Sequence, residues 1–381
     1  MKDPNIGRFN RKKYLISRML LWWLDVFPGR KKTLPLREKV KKILIIQSHL
    51  IGDIVMTVPV LRNIRRCYHN SKIILIANPS AQEVLKHERA IDELIAMTFP
   101  WSSYNYSMKT IIALIKIVLY IRREKIDLAI ELRGDIRNII IMWLMGAKYR
   151  LSTGSTGGKG LLTNIVAYSN ERHLIENNWT ILKYLGCYNE SQKKPVLIYT
   201  CDEQRRFDVY LSNEKLKPYN YIIINPGASF SSRRWLESKF LELAHRLESK
   251  YEIPVIWNFP PGDPHEGYKS VNHIFSSTLS DLMPLLDQAL FYVGLDSGVG
   301  HIAAAFNVPS VIIFGPQDPE LSKPINNRLE VVIADKIECR PCGKKKCDKR
   351  VSCMSLIEVP NVTAAVERLE KHFPERKRID Q

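Results

Sequence analysis

The chain has 381 residues, 45% of them apolar and 25% charged, with a formal charge of +18. That is enough length for two ordinary domains and a sizeable core, and the composition is that of a globular chain rather than a disordered or fibrous one. The charge favours an anionic partner, but no Lys/Arg array interleaved with aromatics and no zinc-finger or RNA-recognition signature is present. That sets nucleic acid aside and leaves a membrane surface or a phosphorylated substrate.

Residues 1–40 read as a basic and apolar extension. YLISRMLLWWLDVF (14–27) lies between RFNRKK and GRKK. With Arg18 and Asp25 inside it, the run falls short of the roughly 18 to 20 uncharged residues of a membrane span. No small-residue cleavage site follows, which argues against a signal peptide. The layout fits an amphipathic helix lying on an anionic bilayer, and equally a surface helix packed on its own domain.

Residues 41–190 carry ILIIQ (43–47), KIILIA (72–77) and DLAIEL (127–132), short apolar runs that predict buried strands. IIALIKIVLYI (111–121) has Lys116 as its one charge and predicts a buried helix. STGSTGGKG (152–160) resembles a phosphate-binding P-loop, but Gly154 and Gly158 are one residue too close, and Gly160 replaces the hydroxyl residue that would hold magnesium. It reads as a mobile loop whose Lys159 can reach an anionic substrate. After a linker near SQKKPV (191–196), the pattern restarts across 191–360 with YIIIN (221–225), PVIWN (254–258), FYVGL (291–295) and PSVIIF (309–314). Strands alternating with helices predict α/β architecture: two doubly wound, parallel-sheet domains with a cleft between them. The segment 361–381 opens on the helical NVTAAVERLEKHF, has no strand after it, and is expected to pack back across the cleft.

Ligands of such sheets sit beyond the carboxyl ends of the strands. Behind the first strand, QSHLIGDIVMTVP lacks a glycine-rich phosphate loop and instead sets Asp53 beside Gly52. The acid is either functional or an N-cap of the following helix. NPGASFSSRRW (225–235) follows a second-domain strand, and its loop amides, Ser229 among them, with Arg233 and Arg234 suit a diphosphate. The alternative there is a solvated basic turn. PPGDPHEGY (260–268) places Glu266 where it can accept hydrogen bonds from a ribose. In VGLDSGVGHIAAAF (293–306), Asp296 and Ser297 stand at a helix start. The amides of Ser297, Gly298 and Val299 form an anion site there, with His301 one turn on. The bland reading is a capped helix with a core histidine.

Together IGDIVMTVPVLRNIRR, ELRGDIRN, NPGASFSSRRW and VGLDSGVGHIAAAFNVPSVIIFGPQDP, with C-R-P-C behind, resemble glycosyltransferase family 9, the ADP-heptose:lipopolysaccharide heptosyltransferase family, over residues 41–366. The resemblance implies the GT-B fold, two Rossmann-like domains facing across a cleft, with acceptor on the N-terminal domain and donor on the C-terminal one. It implies Asp53 as catalytic base and Asp296, Ser297, Gly298 and His301 as the donor-binding element. Arg233 stands where the family usually has a lysine facing the donor phosphates, and Glu266 where an acid meets the donor ribose. Ser297 replaces a commoner threonine and keeps its hydroxyl. The reading is an inverting displacement with no cofactor and no metal at the leaving group, since no D-x-D motif is present. The donor is ADP-heptose and the acceptor an anionic, lipid-linked glycan. Gly52 lets the acceptor approach, and Arg62, Arg65, Arg66, Arg133 and Arg137 offer it positive charge or are solvated helix residues. A different nucleotide sugar, or a non-catalytic sugar-nucleotide binding protein on a membrane, remain the alternatives.

Seven cysteines, an odd number, point to a reducing compartment. The expected location is the cytoplasm, with the basic and apolar extension attaching the chain to the inner face of the cytoplasmic membrane. Cys339, Cys342, Cys347 and Cys353 have spacing compatible with a structural zinc, and equally with buried or paired thiols. Their loop is expected to lie far from the chemistry.

Overall fold

The computed structural model describes residue 25 and residues 31–101, 106–169, 173–263, 266–268, 270–334 and 337–373. The expected amphipathic helix at 14–27 lies outside them apart from Asp25, as does the tail beyond 373. The chain divides into two units, Met1–Pro195 and Val196–Gln381.

In the first unit the elements run β1 (Lys42–Gln47), α1 (Ile51–Cys67), β2 (Lys72–Ala77), α2 (Ala81–Val84), β3 (Glu93–Ala96), α3 (Met108–Glu124), β4 (Leu128–Glu131), α4 (Ile136–Leu144), β5 (Tyr149–Ser152), β6 (Asn164–Ile165) and α5 (Leu174–Tyr184). All pairings are parallel, in the order β3-β2-β1-β4-β5-β6. Every residue of β1 and β2 after the first is buried, as a sheet covered on both faces requires. The glycine-rich 152–160 segment is a compact turn with Gly154, Gly157 and Gly158 at positive φ, leading into a 3-10 turn from Lys159.

The second unit repeats the plan with α6 (Cys201–Asn213), β7 (Ile222–Asn225), α7 (Glu237–Tyr251), β8 (Val255–Phe259), β9 (His273–Ser276), α8 (Leu279–Asp287), β10 (Phe291–Leu295), α9 (Gly298–Ala305), β11 (Ser310–Phe314), α10 (Pro319–Ser322), β12 (Leu329–Ile333) and α11 (Val359–Leu369). Its order is β12-β11-β10-β7-β8-β9, again all parallel. Each unit therefore has its order reversed between its first and fourth strands, β1/β4 and β7/β10. That switch point opens a crevice at the strands' carboxyl ends.

Two sequence expectations change. The final helix α11 buries Val359, Val362, Ala365, Val366 and Leu369 in the second unit's own core, against β11, β12 and α7, so its apolar face is spent at home. The 111–121 run is indeed helical, but within α3 only Ile121 is fully buried. Leu114, Ile117 and Val118 pack against the core, while Ile112, Ile115 and Leu119 are exposed.

Candidate functional site

In the first unit, Leu50 takes the N-cap position of α1 with extended backbone and no side-chain capping bond. Asp53 is thus the third helical residue, inside the first turn, and is not the N-cap. Gly52 precedes it in the same turn. The carboxylate pairs with Arg133, Nη1 to Oδ1 3.1 Å, and the two side chains are 17% and 11% exposed. Asp53 follows β1 and Arg133 follows β4, so the pair spans the switch point.

What holds Arg133 is Glu131, the last residue of β4 and wholly buried. One carboxylate oxygen accepts from the Arg133 N–H at 3.1 Å and from Asn138 Nδ2 at 3.1 Å. The other accepts from the Gly134 N–H at 2.6 Å and the Ser152 hydroxyl at 2.7 Å. Asn138 also donates to the Ser48 hydroxyl at 3.0 Å, which ties the turn to the end of β1. Burial pushes the Glu131 carboxyl above its ordinary value against these donors. Gly134 sits at φ +70°, where a Cβ would lie 2.3 Å from Thr153 Oγ1, so the turn that launches Arg133 requires glycine. Sequence reading passed over Glu131 as part of a strand. The available signal was a lone acid at the end of an apolar run.

The other cations expected to meet an acceptor are differently placed. Arg62 is engaged by Glu88 (2.9 Å), Arg65 by Asp92, and Arg137 by Asp135 while lying over the Trp101 ring. Burial would raise the Asp135 carboxyl, but the hydrogen bond and charge of Arg137 outweigh it and hold it below its usual value. Arg66 and Lys159 are exposed, and the Lys159 N–H donates to Asp25 at 2.9 Å.

In the second unit the corresponding crevice lies between β7 and β10. Arg233, in a 3-10 turn after β7, pairs with Asp296 at the end of β10, Nη1 to Oδ2 3.1 Å. The same nitrogen donates to the Asp296 carbonyl at 3.2 Å. Ser297 is the N-cap of α9, and its hydroxyl makes no capping bond. Instead Asn225 Nδ2 reaches it at 3.4 Å, and Asn225 is itself held by Asn258 at 2.8 Å. Gly298 begins α9, and His301 is buried in the first turn. Asp296, Ser297, Gly298, His301 and Arg233 are therefore gathered at one helix start. Ser229 and Glu266 lie exposed on the loops after β7 and β8. Trp235 precedes α7, is buried, and donates Nε1–H to the Ile357 carbonyl at 2.9 Å.

The cysteine loop is not remote. The Ser232 hydroxyl donates to the Lys344 carbonyl at 2.7 Å, and the Cys342 and Gly343 N–H groups donate to the Pro316 carbonyl at 3.0 and 2.9 Å. Arg340 Nε donates to the Gly315 carbonyl at 2.6 Å. Arg233 and Lys345 both lie over the Phe230 ring, 5.3 and 4.9 Å from its centroid. All four cysteines are free, and Cys353 is buried in the core. Among the described residues, no group of three or more His, Cys, Asp or Glu is placed to hold a metal ion.

Comparison with known proteins gives one consistent answer. The model of glycosyltransferase family 9 (heptosyltransferase) matches residues 114–351. Lipopolysaccharide heptosyltransferase 3 of Escherichia coli is 24% identical over 337 residues, covering 84% of this chain and 96% of that one. The fold matches the crystal structure of a family 9 glycosyl transferase from Veillonella parvula at a TM-score of 0.76, with 19% identity over 89% of this chain and 99% of that one. It also matches the E. coli ADP-heptose lps heptosyltransferase II at 0.65, with 20% identity over 86% and 98%.

Proposed function

Because the chain belongs to glycosyltransferase family 9, the heptosyltransferase family, we propose that it transfers heptose from ADP-heptose to an anionic, lipid-linked glycan of the lipopolysaccharide core type, with inversion and without a metal at the leaving group. The observation that carries this reading is the pair of switch-point sites. The first unit presents a carboxylate, Asp53, within reach of solvent. The second presents a guanidinium, Arg233, beside the start of α9.

The acceptor hydroxyl attacks the anomeric carbon, and Asp53 takes its proton as the new bond forms. The bond to the diphosphate breaks, and its electron pair leaves with ADP. Arg233 and the amides of Ser297 and Gly298 meet the charge that develops there. That positive end does for the leaving group what a divalent cation does in other transferases. Arg133 holds the Asp53 carboxylate in place and is available to an anionic group of the acceptor. Glu266 and Ser229 line the loops on which the nucleoside would rest. The enzyme works at the cytoplasmic face of a membrane, where such an acceptor is displayed. The relatives named above support the donor and acceptor classes through what they are called.

The test is a transfer assay with core lipopolysaccharide, comparing ADP-heptose with UDP- and GDP-linked sugars in the presence of a chelator, with the product's anomeric configuration read by NMR. Inverted product from ADP-heptose alone, undiminished by chelator, is the expected result. Retained configuration, a preference for another nucleotide, or chelator-sensitive turnover would each remove the corresponding part of the proposal.

A further inference from the structure

Helix α3 is apolar nearly all round, a pattern that ordinarily means burial on every side. Its residues Leu114, Ile117, Val118 and Ile121 face the first unit's core. On the opposite side Met108, Ile112, Ile115 and Leu119 are 70, 46, 52 and 52% exposed. Spacings of four, three and four put these side chains on one stripe, about 16 Å long at the helical rise. Trp143 and Leu144, at the end of α4, are also exposed. Arg122 donates to the Leu144 carbonyl at 3.0 Å, which sets that pair beside the stripe's carboxyl-terminal end.

The rim is cationic. Lys109, Lys116, Arg122 and Arg123 are exposed, and by helical spacing they flank the stripe. The one acid of the helix, Glu124, points away from the stripe and is engaged by Lys42 and Lys72, at 2.9 and 3.4 Å. A second copy of this chain is a poor occupant, because pairing two such stripes would set cation against cation with no carboxylate of the helix to relieve them. Among the described residues no helix is long and apolar enough to cross a membrane, so the stripe is not part of a span. Apolar side chains along a helix, basic residues beside them and a tryptophan at one end are the makings of an interfacial helix.

We propose that α3, with Trp143 and Leu144, is a bilayer-docking surface: the stripe enters the headgroup boundary of an anionic membrane and the lysines and arginines meet its phosphates. The surface belongs to the unit that carries Asp53. This deepens the membrane-face reading above and rests on it only for the lipid that carries the acceptor. The readout needs neither acceptor nor turnover, so a failed transfer assay and a failed vesicle assay report separately.

The test is co-sedimentation of the full chain with phosphatidylcholine vesicles, with and without phosphatidylglycerol. Ile112→Glu, Ile115→Glu and Leu119→Glu combined should lower binding to the anionic vesicles about tenfold or more, with thermal midpoint and ADP affinity unchanged. Lys109→Glu with Lys116→Glu should weaken binding to anionic vesicles and leave binding to neutral ones as it was. If the triple variant sediments like the wild type, the docking surface is elsewhere and the proposal falls. If the wild type is a dimer that the triple variant dissociates without losing vesicle binding, the stripe is covered by a second copy and the proposal also falls.

Discussion

Both units close their switch points with an Arg–Asp pair at 3.1 Å, but the partners are exchanged. In the first unit the acid follows the first strand of the sheet and the arginine the fourth. In the second unit the arginine follows the first strand and the acid the fourth. Embedding differs as well. Asp53 is 17% exposed and stands on a helix turn, while its arginine is carried by a turn fastened to buried Glu131. Asp296 is 8% exposed, and Arg233 is tied to both its side chain and its carbonyl. The first site therefore holds its cation in order to present an acid, and the second buries its acid in order to present a cation. Under the proposed function, one topology would serve proton removal in one unit and charge stabilisation in the other, according to which member of the pair is left reachable.

The comparison breaks most sharply at Asp53. Asp53→Ala should cut transfer about 10²–10⁴-fold, while calorimetry finds ADP affinity within a few-fold of wild type, since only the transition state uses this charge. Wild-type turnover would end the assignment. Glu131→Gln comes next. Its amide would point hydrogens at two of four donors, so the Arg133 turn should loosen, turnover fall about tenfold, and stability drop by about 1–3 kcal/mol, with ADP binding again untouched. A pH comparison isolates the titration. Burial raises the folded-state value of Glu131, so between the ordinary carboxylate range and that raised value the folded state holds the proton more than the unfolded state does. Stability from this group is present at low pH and is lost as pH rises through that window. Wild-type thermal midpoints should decline across it relative to Glu131→Gln, which does not titrate. Parallel profiles would contradict the assignment.

How much of this was legible beforehand follows from burial. The runs behind β1, β2 and β10 are buried on both faces and read as strands within a residue of their ends. The edge strands β3, β6, β9 and β12 escaped notice, as did the inner strand β5. The edge strands pair on one side only, β6 has just two residues, and β5 is the four-residue YRLS with only its last two buried, so no long apolar run marks any of them. Asp53 stood out because an acid replaced a phosphate loop, and Arg233 because its turn followed a strand. Arg133 and Asp296 stood out too, but not as their partners, because pairing across a switch point joins residues tens of positions apart. The α3 run misled for the opposite reason. Apolarity all round a helix encodes contact on every side, but not that the contact on one side comes from outside the unit.

Arg233 tests the second half of the comparison. Arg233→Ala removes the presented cation and should weaken ADP binding about tenfold or more, while adenosine, which lacks the diphosphate, binds as before. Arg233→Lys should recover part of the loss, because it keeps the charge and gives up the fork geometry. Equal losses for ADP and adenosine would mean the turn had collapsed rather than that a phosphate contact had gone.

The smallest effect is expected at Lys345, and it asks whether the second site has one cation or two. Arg233 and Lys345 lie over the same Phe230 ring. The ring's negative face favours each of them, but two cations so close repel one another unless an anion joins them. The loop is not free to carry Lys345 away, because Ser232, Gly315 and Pro316 hold it through five hydrogen bonds, one of them from the Ser232 N–H to the Lys345 carbonyl. Lys345→Met should therefore raise the ADP dissociation constant about two- to fivefold, as suits an exposed charge, and leave adenosine unaffected. The salt dependence of ADP binding should flatten, since a screened contact has been removed. Lys346→Met is the control, one position along the same loop. If both lysine variants weaken ADP equally, the loop contributes only diffuse charge. If neither does, Arg233 and the start of α9 hold the diphosphate by themselves.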